Sequence, residues 1–315
     1  MIINKNKYSL KKAFSLIELS IVILIIGILV AGVTQSSRLI RQIKLSSARS
    51  LTISSSVTSI KDLHSWYETI LTTSFDPNEA VDATKITSWF DSNPQSSDKI
   101  NMSQSVTSSK PTYIDNFING LPVIYFDGTS VMKSSISTPA ITSTGSATIF
   151  FVANYKELNN LASNQRYLIT QNYNNCSNTI EIGLLWDVEG SMGIHAGCAY
   201  TTQTSSAIST IGSSQIISLV MLKGPLTPGV VDNIKIYRNG ISMPLFSRNG
   251  GYNQSLSLSG GYAKTNSTIY LGGRNINAFF KGYVGEVIIY SRSLNDDERK
   301  DVEKYLGKKW GIAVQ

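Results

Sequence analysis

The chain has 315 residues, enough for one large or two small cored domains, with a net charge of +7 and 16% charged residues. Sparse charge, with abundant Ser, Thr, Asn, Gly and Tyr, suits extracellular β-structure better than a helical cytosolic enzyme. Of the +7, four charges sit on Lys5, Lys7, Lys11 and Lys12 and four on Arg38, Arg41, Lys44 and Arg49, which leaves the rest of the chain at −1, so the basic balance gives no reason to expect a nucleic-acid partner.

Residues 1–13 form a polar leader. From Lys11 the sequence reads KKAFSLIELSIVILIIGILVAGV, an apolar run interrupted by the single charge of Glu18. The residues from Phe14 to Val33 span about 30 Å as a helix, the hydrocarbon thickness of a bilayer. A secretory signal would place its small-residue step after a shorter apolar core. Here Ala13 precedes the run and a carboxylate lies inside it, where an ionised group is costly and calls for a partner.

The segment Ala13-Phe14-Ser15-Leu16-Ile17-Glu18 and the run after it resemble the class III leader of type IV pilins and of the pseudopilins of type II secretion. The resemblance implies cleavage between Ala13 and Phe14 by prepilin peptidase, methylation of the new Phe14 amine, and assembly with other pilin-like subunits. In that assembly Glu18 neutralises the Phe14 amine of a neighbour. Ala13 stands where the family usually has glycine. The leader lysines favour a cytoplasmic N-terminus, although the basic cluster after the span opposes them. The resemblance places the precursor in the inner membrane with its head outside the cytoplasm, and later in a pilus or pseudopilus.

Apolar residues at helical spacing through Leu39, Ile43, Ile53, Val57, Ile60, Leu63 and Tyr67 predict that the helix runs over residues 14–71, His64 included. A linker with Asp76-Pro77-Asn78 follows over residues 72–84. From residue 85, short runs rich in Val, Ile, Tyr, Phe and Thr alternate with turn residues and predict an antiparallel β-sandwich. The strands are Val123–Phe126, Thr148–Ala153, Arg166–Thr170, Ile180–Trp186, Ile216–Leu222, Asn233–Tyr237, Thr268–Leu271 and Gly285–Tyr290, among eight to twelve in all. Asp127-Gly128 and Asn239-Gly240 read as hairpin turns. Asn295 as N-cap and Glu298 three residues on predict a closing helix over 296–306, with Val302, Tyr305 and Leu306 on its buried face. Cys176 and Cys198, the two cysteines, read as one disulfide in an oxidising compartment, with two free buried thiols as the alternative.

Lys110-Pro111-Thr112-Tyr113, Asn119-Gly120-Leu121-Pro122-Val123, Tyr125-Phe126-Asp127-Gly128 and the closing Phe280–Tyr290 stretch with Arg292-Ser293-Leu294 resemble bacterial LamG-like, concanavalin A-like lectin/glucanase domains. The resemblance covers residues 85–315 and implies a jelly-roll sandwich that binds glycans or proteins, sometimes with calcium. The expected fold class is therefore a long N-terminal helix, an all-β jelly-roll sandwich and a short C-terminal helix.

A glycosidase of this fold needs two carboxylates at a set separation. Asp187-Val188-Glu189 reads as a solvated turn, Glu181 is too far upstream to fit, and Glu286 reads as structural. No nucleophile elbow or P-loop is present, so no enzyme activity is expected. Trp89, Trp186 and Trp310 read as core, whereas Tyr173, Asn175, Tyr252 and Asn253 lie in loops suited to ligand contact. No cofactor is expected. Calcium stays open, with no Asp/Asn cluster to mark a site. The sequence thus points to a minor pilin or pseudopilin whose head serves adhesion or ligand binding, glycan or surface protein. The alternatives are a purely structural subunit and a membrane-tethered glycan-active enzyme.

Overall fold

The computed structural model describes residues 15–136, 141, 145–158, 166–171, 180–184, 190–196, 200–207, 210–224, 233–249, 267–274 and 277–315. The chain divides into two compact units, Met1–Ser46 and Ser47–Gln315. The described part of the first, from residue 15, is the N-terminal part of one helix, α1 (Leu16–Ile53).

The second unit is a β-sandwich. Its strands, in chain order, are β1 (Leu63–Tyr67), β2 (Ser88–Trp89), β3 (Met102–Ser103), β4 (Thr112–Ile118), β5 (Leu121–Asp127), β6 (Met132–Ser134), β7 (Ala147–Tyr155), β8 (Arg166–Gln171) and β9 (Ile180–Leu184). They continue with β10 (Met192–Ala196), β11 (Tyr200–Thr204), β12 (Ser214–Met221), β13 (Ile234–Arg238), β14 (Ile241–Ser242), β15 (Leu245–Asn249), β16 (Ile269–Leu271) and β17 (Lys281–Tyr290). One antiparallel sheet runs β14-β13-β12-β7-β17-β5-β4, with β1 also on β17. The other runs β15-β11-β10-β9-β8-β16-β6-β3-β2. Each of the eight strands read from the sequence has a counterpart, Ile180–Trp186 as far as residue 184 with its last two residues outside the described ones, and the described strands number 17 instead of the expected eight to twelve.

The core lies between the sheets, because alternation on each strand turns one apolar set inward. Ile149, Phe151 and Ala153 of β7 and Val287 and Ile289 of β17 face Leu168, Ile182, Ile194 and Leu271 across it, with Trp89 and Phe126 filling the interior. Every residue of β7 is buried, since its opposite face is also covered. On that outer face α2 (Asp296–Trp310) packs against β12. Glu303 of this helix accepts a hydrogen bond from Ser218 of β12 at 2.7 Å.

α2 begins as its capping signal implies. The Asn295 side chain accepts from the Glu298 amide at 2.9 Å, and the Glu298 carboxylate accepts from the Asn295 amide at 3.1 Å. It runs four residues beyond the expected 306 and stops at Gly311, which has a left-handed φ of 65°. Asn239-Gly240, with φ of 51° and 85°, joins β13 to β14 as a tight hairpin turn.

Three sequence expectations are corrected. α1 ends at Ile53, not near residue 71. Ser54 turns its hydroxyl back onto the Ser50 carbonyl at 2.8 Å in a Ser-rich stretch of weak helix propensity. The apolar residues beyond form β1, which pairs with residues 287–290 of β17 and carries His64 on a strand instead of a helix. Tertiary pairing here overrides a helical spacing. Residues 72–84 are not a free linker either: Phe75 is buried and stacks on Trp89 at 5.9 Å, and the Ala83 amide donates to the Tyr113 carbonyl. The sandwich therefore starts at Leu63. Asp127-Gly128 closes no hairpin, because the next strand, β6, lies in the other sheet.

Candidate functional site

The first 18 residues of α1 are almost wholly apolar. Leu, Ile and Val occupy most positions from Leu16 to Val33, and none of these side chains is buried within the protein. A window of mean hydropathy 2.9 makes the helix long and apolar enough to cross a membrane. Gly27 and Gly32 face open space. At its start the backbone amide of Ser15 donates to Glu18 Oε2 at 2.9 Å, and the Ile17 amide donates to Ser15 Oγ at 3.3 Å. Glu18 thus caps its own helix, where the exposed amide ends favour negative charge.

The C-terminal end of α1, within the second unit, is anchored differently. Ala48 and Thr52 are buried, and Arg49 Nε donates to the Ile70 carbonyl at 3.0 Å. Beneath them lies a buried ionic cluster. Glu286 Oε1 accepts from Trp66 Nε1 and from the Tyr305 hydroxyl, each at 2.7 Å. Its Oε2 accepts from Trp310 Nε1 at 2.8 Å and from Lys309 Nζ at 2.9 Å. Lys309 also stands 3.5 Å from Glu68, whose carboxylate accepts the Ile70 and Leu71 amides and the Ser74 hydroxyl. Burial, then the Glu286 charge, pushes the Tyr305 phenol well above its usual range. A β-bulge between Val284 and Glu286 turns this carboxylate outward. A side chain at Gly285 would meet the Trp310 ring at 2.6 Å. With these donors in place Glu286 is a buried structural acceptor, as its position in the closing Phe280–Tyr290 stretch suggested.

Trp89 and Trp310 are fully buried core residues. Ala13, Phe14, Tyr173, Asn175, Cys176, Trp186, Asp187, Glu189, Cys198, Tyr252 and Asn253 lie outside the described residues. Among the described residues no group of three His, Cys, Asp or Glu side chains could hold a metal ion.

A surface that the sequence reading did not single out lies on the outer face of the β17 sheet. Phe117 stacks on Tyr283 at 3.7 Å between ring centroids, and Tyr125 lies 4.8 Å from Tyr283. The signal was available: Tyr125 stands between Ile124 and Phe126 on a strand, so its side chain must leave the face that carries the core.

Residues 8–34 match the model of the prokaryotic N-terminal methylation motif. The match covers the leader and the start of α1 and leaves the head untouched. No curated protein matches the chain. Among solved structures, domain 4 of AbnA, an extracellular arabinanase from Geobacillus stearothermophilus in complex with arabinotriose, aligns at 15% identity and a TM-score of 0.47, over 77% of this chain and 98% of that one. Trypanosoma rangeli sialidase in complex with sialic acid aligns at 14% and 0.47, over 82% of this chain and 35% of that one. The binding domain of Paraclostridial Mosquitocidal Protein 1 aligns at 14% and 0.48, over 81% of this chain and 56% of that one. The chain therefore carries, at residues 8–34, the methylation motif that leads type IV pilins, followed by a long exposed apolar helix and an antiparallel sandwich.

Proposed function

We propose that this protein is a type IV pilin-like filament subunit, a minor pilin or pseudopilin, whose sandwich head displays a ligand-binding surface, with glycan as the favoured ligand class. One observation carries the reading: the methylation motif runs into an apolar stretch of helix, residues 16–33, whose side chains are all exposed. Such a helix needs lipid before assembly and neighbouring helices after it. The precursor sits in the inner membrane with its leader in the cytoplasm, prepilin peptidase cuts between Ala13 and Phe14, and the new amine is methylated. Glu18 then stands at the helix end that carries the amine, placed to pair with Phe14 of the next subunit. The head has a non-enzymatic role, consistent with the buried carboxylates Glu68 and Glu286 being engaged by Lys309 and by backbone and indole donors.

The reading is tested by co-expressing the full chain with a prepilin peptidase and determining the mature N-terminus by mass spectrometry. The expected product starts at methylated Phe14. Glu18→Ala is expected to be cut normally but to fall out of filaments. An intact leader beside a processed control prepilin would leave a membrane-tethered head and refute the filament role.

A further inference from the structure

The outer face of the β17 sheet is covered by α2 as far as Gly285, where the Trp310 ring lies against the backbone. One step further along the strands Tyr125 and Tyr283 are half-buried, while Asn154 beside them on β7 stays buried. There the pairing aligns Tyr125, Tyr283, Asn154 and Ser214 in one row across β5, β17, β7 and β12. Ile124, Phe126 and Val284 belong to the core, so this row faces outward. A bare sheet face usually carries polar residues at such positions. This one carries two tyrosines with Phe117 stacked beside them, 40% exposed.

The charge beside the rings is equally specific. Lys156 Nζ stands 5.2 Å from the Tyr125 ring centroid and 5.8 Å from that of Tyr283. Among the described residues it forms no ion pair, whereas neighbouring Lys281 is paired with Glu157 at 2.8 Å. An aromatic platform beside one ammonium that no described residue pairs suits a ligand with a flat apolar face and a single anionic group. A phosphate polymer would ask for several cations.

We propose that Phe117, Tyr125 and Tyr283 form a stacking platform for the ring of an acidic saccharide, whose carboxylate pairs with Lys156. Ser214 ends the row as a hydroxyl partner, held by buried Asn154, whose Nδ2 donates to Ser214 Oγ at 3.0 Å and to the Gly212 carbonyl at 2.9 Å. The assignment rests on reading the head as a displayed binding surface, and it places the site on a sheet face, away from the loops at residues 173–175 and 252–253.

The test uses the full chain in detergent micelles and calorimetric titration with oligogalacturonate and with its methyl ester, which keeps the rings and removes the charge. The acid is expected to bind about tenfold more tightly than the ester, the size of one charge-assisted contact. Lys156→Ala should abolish that difference while leaving ester binding in place. Tyr283→Ala should abolish binding of both, and Tyr283→Phe, which keeps the ring, should restore it. Thermal melts of each variant control for folding. No binding of either oligomer, or binding indifferent to Tyr283→Ala, overturns the proposal. So does a Phe117→Ala variant that alters only self-association, which would assign the face to a second copy of the chain. Processing at Phe14 is read independently, so a processed, assembled subunit that ignores saccharide refutes the platform and spares the filament reading.

Discussion

Asp127 ends β5 by accepting the Thr129 and Ser130 amides and both of their hydroxyls on one carboxylate oxygen, at 2.6 to 3.0 Å, with Lys85 at 3.5 Å. Partial burial pushes the carboxyl upward, but the Ser130 and Thr129 hydrogen bonds outweigh it and bring the pKa down from 3.8 to about 2. A folded-state pKa below the unfolded value contributes stability that is complete above pH 4 and is lost as the pH falls through 2. After discounting for exposure, the contribution is about 1 kcal/mol. Asp127→Asn is expected to lose that amount in urea unfolding at pH 7 and to approach the parent near pH 2. A difference that does not change with pH would show that geometry, not charge, holds the turn. Asp127 was legible as a turn residue but not as a crossover between sheets, because the dipeptide specifies a local bend and the partner strand is chosen by the rest of the fold.

At the scale of elements, α2 is the most legible part of the chain and β1 the least. Asn295 and Glu298 satisfy helix-end amides by contacts within four residues, so their pattern needs no tertiary context. β1 depends on a strand some 220 positions away, and its apolar residues also fit a helical repeat. The joint between α1, β1 and α2 is the Glu286 cluster. Glu286→Leu would strip the acceptor from two indoles and a phenol and leave Lys309 with the Tyr305 hydroxyl at 3.1 Å and, as its remaining carboxylate, Glu68 at 3.5 Å. A loss of about 3 to 5 kcal/mol is expected, typical for one buried charge deprived of its partner. Adding Lys309→Met should restore part of it, as read by denaturant midpoints. If the double variant is no better than the single, the cost arises from lost packing and not from an orphaned charge.

At the scale of the molecule, the second unit holds its own core, and the exposed apolar surface of α1 lies in the first. A chain restricted to residues 47–315 is therefore expected to stay soluble without detergent and to unfold in one cooperative transition. Aggregation of that fragment, with the full chain well behaved in micelles, would show that the head depends on the helix.

The sequence by itself determined the apolar N-terminal helix, the strand-rich head and the capped closing helix. Each is written in residues close together along the chain: an apolar run with one carboxylate, an alternation of period two, a cap three residues from its partner. Only the tertiary structure decided where α1 stops, that Leu63 begins the sandwich, that Lys309 lies between two buried carboxylates, and that Phe117, Tyr125 and Tyr283 meet beside Lys156. Those depend on register between distant strands, which sets who faces whom and which no local pattern encodes.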